Sequence, residues 1–314
     1  MKRRELISSA SAIALTAFVK NSSVFGAEQS SKKNNKPFSF CLNTSTIRGQ
    51  NQGIAKDMET VAKAGFNGIE IWINGLQEYQ QKGGSASELR KKAQDLGLTI
   101  EDAIGFAPWI VDDNTQRKNA QEQLKKEMGL LASIGCRRIA APPFGATNEP
   151  GLNLDAAAER FYAIAEIGRQ EGVLPQLELW GFSKNLNKLS QVLYVAAESG
   201  HPQAHILADI YHLYKGGSDF DSVKLLSSHA IEIFHVNDYP KDFSRENIKD
   251  SDRVHLGDGI APLKDILSNL VRPNKTIVLS LELFNPEYYK LDAFAVAKLG
   301  LQRMKEACAG ISAS

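Results

Sequence analysis

The stretch His205-Ile206-Leu207-Ala208-Asp209-Ile210-Tyr211-His212 decides how the rest of the chain is interpreted. Its apolar start, which follows a glycine and a proline, predicts a short buried strand. That strand delivers the Asp209 carboxylate to its C-terminal end, and His212 follows three residues later. An Asp-x-x-His quartet occurs often by chance, so it indicates a metal or acid-base site only if other strands end in the same way.

The same unit, a short apolar strand followed by a helix that most often ends at glycine, repeats eight times. The predicted strands cover residues 37–43, 67–72, 98–105, 137–142, 173–179, 205–208, 230–236 and 276–283. The predicted helices cover residues 54–64, 87–96, 116–134, 154–170, 186–198, 220–228, 262–270 and 293–309. Eight alternating units close most economically into a barrel. We therefore predict an α/β fold, a (β/α)₈ TIM barrel that forms a single domain.

The rival fold is an open, doubly wound sheet. No G-x-G-x-x-G follows the first strand, where Asn43-Thr44-Ser45-Thr46 stands instead, so this fold is disfavoured. The three cysteines are odd in number and widely spaced, which predicts core residues rather than disulfides or a zinc finger. The chemistry therefore has to be sought where the strands end.

The N-terminal residues have the pattern of an export signal. Lys2, Arg3 and Arg4 are basic, and the apolar stretch over residues 6–19 is too short to span a bilayer comfortably. We predict a cleaved signal over residues 1–27 by the twin-arginine or Sec route, a linker over 28–36 and a catalytic domain over 37–314. The mature protein is then periplasmic or extracellular and not anchored in a membrane.

Four successive predicted strands end in residues that can bind a metal. These are Glu178, Asp209, His235 and Glu282. Three carboxylates in one barrel mouth repel each other unless a cation lies between them. Oxygen and imidazole donors favour Mn²⁺, with Co²⁺, Mg²⁺ or Zn²⁺ as alternatives. The competing interpretation is that Glu178 and Glu282 pair with arginines or lysines of the barrel.

These motifs together resemble a known family. Glu178, Asp209-x-x-His212, His235-x-x-Asp238, Arg253-x-x-x-Gly257-x-Gly259 and Glu282, spread over eight βα units, are similar to the xylose isomerase-like TIM barrels of sugar isomerases and epimerases. The resemblance implies that Glu178, Asp209, His235 and Glu282 bind one divalent metal ion. It also implies that the two glutamates exchange a proton with opposite faces of a substrate carbon, and that His212 and Arg253 contact substrate oxygens.

Further residues are candidates for binding the substrate. Trp180 and Trp109 lie near strand ends, where an indole can stack on a sugar ring. Glu70, in the second strand, either faces the sugar or forms a salt bridge inside the barrel. With Arg253, these residues make up the predicted substrate-binding set.

The sequence thus predicts a metal-dependent isomerase or epimerase that works through an enediolate. Because sugar phosphates are cytoplasmic, export favours a non-phosphorylated ketose or keto-sugar derivative. The alternative is a lyase or dehydratase acting on a keto-sugar, keto-inositol or glycoside, in which the same enolate expels a leaving group. The expected binding partner is a small sugar, and the sequence leaves open whether the protein forms a homo-oligomer.

Two other classes of function fit the sequence less well. Apurinic-site endonucleases share this barrel, but they need additional histidines from the second and third strands, and this chain has no histidine before His201. The 37 basic and 36 acidic residues also nearly cancel, so no cationic field is available for nucleic acid. A non-catalytic carbohydrate-binding barrel is the remaining alternative.

Overall fold

The computed structural model of the protein describes residues 36–312. The predicted export signal and the predicted linker up to residue 35 lie outside the described residues. Within the described part of the chain, no helix combines the length and the apolarity needed to cross a membrane.

Eight strands form one sheet in which each hydrogen-bonded pair is parallel. They are β1 (Phe38–Asn43), β2 (Gly68–Trp72), β3 (Thr99–Ile104), β4 (Arg138–Ala141), β5 (Leu174–Glu178), β6 (His205–Asp209), β7 (Ile233–Val236) and β8 (Ile277–Leu281). The order β3-β2-β1-β8-β7-β6-β5-β4 forms a nearly closed barrel, and β3 and β4 are neighbours at the seam. The predicted (β/α)₈ TIM barrel is confirmed.

Helices connect the strands around the outside. The described residues contain α1 (Ile54–Ala64), α2 (Ile73–Gln81), α3 (Ala86–Asp95), α4 (Asn114–Ile134), α5 (Leu154–Glu171), α6 (Leu189–Glu198), α7 (Ile210–Gly216), α8 (Leu263–Leu270), α9 (Pro286–Tyr289) and α10 (Ala293–Ala307). The sequence did not predict α2, α7 or α9, and the helix predicted over 220–228 is a short 3₁₀ helix, Phe220–Leu225.

The unpredicted helix α7 begins directly where β6 ends. The Asp209 side chain accepts a hydrogen bond from the His212 backbone N–H at 2.9 Å, so the last strand residue is also the N-cap of the helix. With no loop residues between the two elements, the sequence offers no turn signal. The result is that β6 and α7 hold Asp209 and His212 in one rigid unit.

Close packing also fixes the strand that carries Glu178. The small residue Gly168 in α5 lies over the turn that leads into β5, and the Val173 backbone N–H donates to the Gly168 carbonyl oxygen at 3.0 Å. This contact sets the start of β5, and Glu178 is the last residue of that strand.

Replacing Gly168 by alanine tests this packing. A Cβ atom there would lie 2.4 Å from the Val173 carbonyl oxygen and 2.5 Å from Pro175 Cδ, so the backbone must shift. We expect the free energy of unfolding, measured by urea denaturation, to fall by about 1–3 kcal/mol. Gly129→Ala in α4 is the matched control, because its Cβ would only touch the Glu171 carboxylate at 3.5 Å. An equal loss of unfolding free energy in both variants would contradict the conclusion that Gly168 packs closely against the start of β5.

Candidate active site

Three of the predicted metal ligands converge at the C-terminal end of the barrel. One ligand atom from each of Asp209, His235 and Glu282 lies within 4.8 Å of the others, and all three side chains are buried. His235 Nδ1 lies 3.2 Å from Glu282 Oε2 and 4.0 Å from Asp209 Oδ2. Asp209 and His235 are paired residues on the adjacent strands β6 and β7, which explains why they meet.

The His235 ring has the arrangement of a metal ligand. Its Nε2 lies 2.8 Å from Glu70 Oε1, while its buried Nδ1, although close to the two carboxylates, has no hydrogen-bond partner of acceptable geometry. Metal-binding histidines typically have one ring nitrogen held by a carboxylate and the other aimed at the ion. The residues present therefore fit a divalent metal held by Asp209, His235 and Glu282.

Glu178 lies on the same rim but outside this cluster. It lines the same cavity as Glu282, and its buried Oε2 has no hydrogen-bond partner among the described residues. Burial raises the pKa of Glu178 well above its usual range; the charge of His235 opposes this shift and that of Glu282 adds to it. Glu178 therefore favours the protonated form.

Glu282 has the opposite preference. Its Oε2 accepts from Arg253 Nη1 at 2.7 Å, and its Oε1 accepts from Asn43 Nδ2 at 3.1 Å. Although burial acts to raise the pKa of Glu282, the positive charges of His235 and Arg253 hold it well below its usual range. One pocket thus holds a carboxyl that keeps its proton and one that stays ionised, which is the pattern of an acid-base pair.

Arg253 is buried inside the site. Its Nη1 bridges Glu282 Oε2 and Asp209 Oδ2, the latter at 2.9 Å, and its Nη2 donates to Asp250 at 2.5 Å. The competing interpretation, in which the glutamates pair with basic residues, therefore applies to Glu282. Among the described residues it does not apply to Glu178, which has no lysine or arginine partner.

His212 is a neutral hydrogen-bond donor. Burial lowers its pKa to about 3, so the ring is uncharged near neutral pH. The Gly181 backbone N–H donates to Nδ1 at 3.2 Å, which leaves the ring proton on Nε2. Arg253 Nη2 lies 3.2 Å from this Nε2. Two donors that face each other need a shared acceptor, such as a substrate oxygen.

Glu70 lies in the barrel interior and not against the sugar pocket. Its second oxygen accepts from Ser280 Oγ at 2.5 Å, and the side chain is fully buried. Of the two roles that the sequence allowed, the structure shows the interior ion pair. Glu70 is therefore placed to orient His235, and the prediction of a sugar contact is corrected.

Trp109 is also misplaced by the sequence prediction. The chain turns inward after β3, and the indole is buried in the core against Phe161, with its N–H donating to the Pro142 carbonyl oxygen at 2.8 Å. It cannot stack on a sugar. Trp180, by contrast, lines the cavity as predicted.

The cavity above the cluster has a volume of about 400 Å³. Several of its lining residues did not belong to the predicted set: Arg48, Trp72, Ile104, Phe106, Phe182, Asp250, Ser251 and Phe284. Trp72 ends β2, and Phe106 and Phe284 follow β3 and β8 within three residues. Applying the strand-end rule to phenylalanines as well as to tryptophans would have added Phe106 and Phe284 to the predicted set.

Comparison with known proteins agrees with this fold. Residues 58–307 match the family described as xylose isomerase-like TIM barrel. The inosose isomerase of Bacillus licheniformis is 28% identical over 267 residues, covering 81% of this chain and 92% of that protein. The 3-dehydroshikimate dehydratase of Pseudomonas aeruginosa is 25% identical, covering 80% of this chain and 39% of that protein.

Solved structures show the same fold. A crystal structure of the IOLI protein with a bound zinc atom has a TM-score of 0.80 and 24% identity, and covers 88% of this chain and 100% of that one. The structure of an L-ribulose 3-epimerase has a TM-score of 0.69 and 18% identity, covering 86% and 94%.

The ion pair between Glu70 and His235 can be tested through metal affinity. Glu70→Gln keeps the size of the side chain but removes its charge, so we expect the affinity for Mn²⁺ and Zn²⁺ to fall by about 10–100-fold. Isothermal titration calorimetry measures this directly. Ser280→Ala removes only a hydrogen bond to Glu70 and should have a smaller effect. Unchanged affinity for both ions in Glu70→Gln would show that this pair does not support a metal site.

Proposed function

The chain belongs to the xylose isomerase-like TIM-barrel family, and on that basis we propose that it is a divalent-metal-dependent sugar isomerase or epimerase. The observation that carries the proposal is the pair Glu178 and Glu282. They line one cavity, prefer opposite protonation states and lie beside the Asp209 and His235 side chains. A carboxylate and a carboxylic acid placed in this way can remove a proton from a carbon next to a carbonyl group and return a proton to it.

The metal is proposed to bind Asp209, His235 and Glu282, with Glu178 at the edge of the site. When bound, such an ion polarises a carbonyl oxygen and makes the neighbouring C–H more acidic. The oxygen-rich donor set favours Mn²⁺. The zinc atom bound in the similar IOLI structure supports a divalent ion of the same class.

The two glutamates then divide the proton transfer. Glu282, held ionised, accepts the proton from the carbon next to the carbonyl group. Glu178, held protonated, returns a proton to the enediolate. The His212 Nε2–H and Arg253 Nη2 supply two donors for the oxygen that becomes negative, so the developing charge meets groups that are already in place.

The substrate is proposed to be a non-phosphorylated ketose or keto-sugar derivative. Export of the protein to the periplasm or the outside of the cell, predicted from residues 1–27, would separate it from cytoplasmic sugar phosphates. The name of the Bacillus licheniformis relative, inosose isomerase, supports a polyhydroxylated ketone.

Elimination is the second candidate reaction. It is favoured by the similarity to 3-dehydroshikimate dehydratase, although this chain spans only 39% of that protein. The same enolate, with a leaving group on the next carbon, would expel water or an aglycone instead of being reprotonated. The same residues could catalyse either reaction, so the two reactions have to be distinguished by their products.

Deuterium exchange tests the proton transfer. We expect metal-loaded protein in D₂O to place deuterium next to the carbonyl group of a ketohexose or an inosose, as measured by mass spectrometry. Glu178→Gln and Glu282→Gln should each slow exchange by about 10²–10⁴-fold, the usual contribution of one acid or base. Glu127→Gln is the control, because Glu127 is buried but does not line this cavity.

Three results have distinct meanings. Deuterium in the recovered sugar favours isomerisation or epimerisation, and loss of mass with a new enone favours elimination. Exchange that is undiminished in both Glu178→Gln and Glu282→Gln would contradict the proposed roles.

A further inference from the structure

Five aromatic side chains line the catalytic cavity, and a sixth, Phe144, packs against one of them. This aromatic collar consists of Phe284, Trp72, Phe106, Phe144, Trp180 and Phe182. Consecutive ring centroids lie close together: Phe284 to Trp72 at 6.1 Å, Trp72 to Phe106 at 5.4 Å, Phe106 to Phe144 at 5.7 Å, Phe106 to Trp180 at 6.1 Å and Trp180 to Phe182 at 5.0 Å. The collar therefore forms one continuous apolar wall.

The cavity has two unlike sides. Glu178, His212, Arg253 and Glu282 supply charged or hydrogen-bonding groups at the barrel end, where the strands finish. The wall formed by Ile104 and the collar offers aromatic faces and edges instead. The lining thus combines catalytic polar groups with a run of aromatic rings. Arg48 lies over the Trp72 and Phe284 end of that run, so the rings of Phe106, Trp180 and Phe182 form its apolar part.

This division does not suit a free ketose that fills the whole cavity. Such a sugar carries an oxygen on every carbon, and a buried hydroxyl group that loses its partner in water is penalised. Carbon-bound hydrogens on one ring face can stack on an aromatic side chain, but the hydroxyl groups at the ring edge would still meet the apolar wall. A cavity of about 400 Å³ also falls within the roughly 300–1,000 Å³ range of clefts that take drug-sized ligands.

The outer rings of the collar are exposed. Phe182 is 44% exposed and lines the cavity, and Phe144, which packs against Phe106, is 40% exposed. Covering large aromatic surface removes it from water, which favours binding of an apolar group. Since this surface is continuous with the catalytic cavity, its occupant is best understood as part of the same molecule that reaches the metal ligands.

We propose that the aromatic collar binds a flat, apolar group, such as an aryl ring, that is attached to the reacting sugar. This inference rests on the proposed function and names its substrate class: keto-sugars that carry an aryl group, including aryl glycosides whose sugar has been oxidised to a ketone, in preference to free ketoses. The sugar carbonyl faces Glu178 and Glu282, while the aryl group lies against the surface formed by Trp180, Phe182 and Phe106.

Binding of matched glycosides tests the collar without any turnover. Phenyl β-glucoside and methyl β-glucoside share one sugar and differ only in the attached group. Titration calorimetry on the metal-loaded protein should show the phenyl compound binding about tenfold tighter, which is the gain from one good aromatic contact. Phe182→Ala should reduce that preference to about twofold or less, since it removes one face of the proposed subsite.

The control is Tyr162→Ala. Tyr162 is 44% exposed, as Phe182 is, but it lies on α5 beside His201 and outside the cavity. This variant should keep the full preference for the phenyl compound. Trp180→Leu provides a second collar variant that should also lose the preference, and circular dichroism checks that each variant is folded.

Several outcomes would overturn the inference. Equal affinity for the two glucosides, no saturable binding of the phenyl compound, or a preference that survives both Phe182→Ala and Trp180→Leu would each do so. So would deuterium exchange into a free ketose that is as fast as exchange into its aryl-substituted counterpart. Absence of exchange in the wild-type protein, together with an intact phenyl preference, would instead count against the proton-transfer roles alone, so the two proposals fail separately.

Discussion

Buried negative charge is the constraint on which the rest of this structure depends. Glu70, Glu178, Asp209 and Glu282 all lie in one end of the barrel, and each is at most 5% exposed. A carboxylate that is removed from water must be paired, hydrogen-bonded or protonated. The barrel uses all three solutions. Glu70 pairs with His235, Asp209 and Glu282 share the Arg253 guanidinium, and Glu178 favours its proton.

These different solutions are what give the site its chemical asymmetry. Glu178 and Glu282 are the same residue type at the ends of two strands of one barrel, yet they prefer opposite protonation states. The difference comes from His235 and Arg253. His235 Nδ1 lies 3.2 Å from Glu282 Oε2 and Arg253 donates to the same oxygen, whereas Glu178 has no lysine or arginine partner among the described residues. The fold therefore produces an acid and a base from one residue type by the placement of two positively charged side chains.

The sequence predicted the barrel because its signal is repeated eight times, so an error at one boundary does not change the fold. It also predicted that Asp209, His235 and Glu282 meet, since residues that end adjacent parallel strands share a rim. It could not predict where Trp109 points, because a position after a strand does not say whether the chain turns inward. The sequence also could not identify His235 as the partner of Glu70, because the two residues are far apart along the chain.

The loops near the β3–β4 seam can change in sequence more freely than the segments on the opposite side of the barrel mouth. The segments after β3 and β4, which carry Phe106 and Phe144, make no side-chain hydrogen bond to Asp209, His235 or Glu282 in the described structure. On the other side, α7 begins at the residue that follows the end of β6, so no loop residue separates the two elements. Loops grafted at the seam from related barrels could therefore alter what the enzyme accepts while its reaction machinery is inherited unchanged.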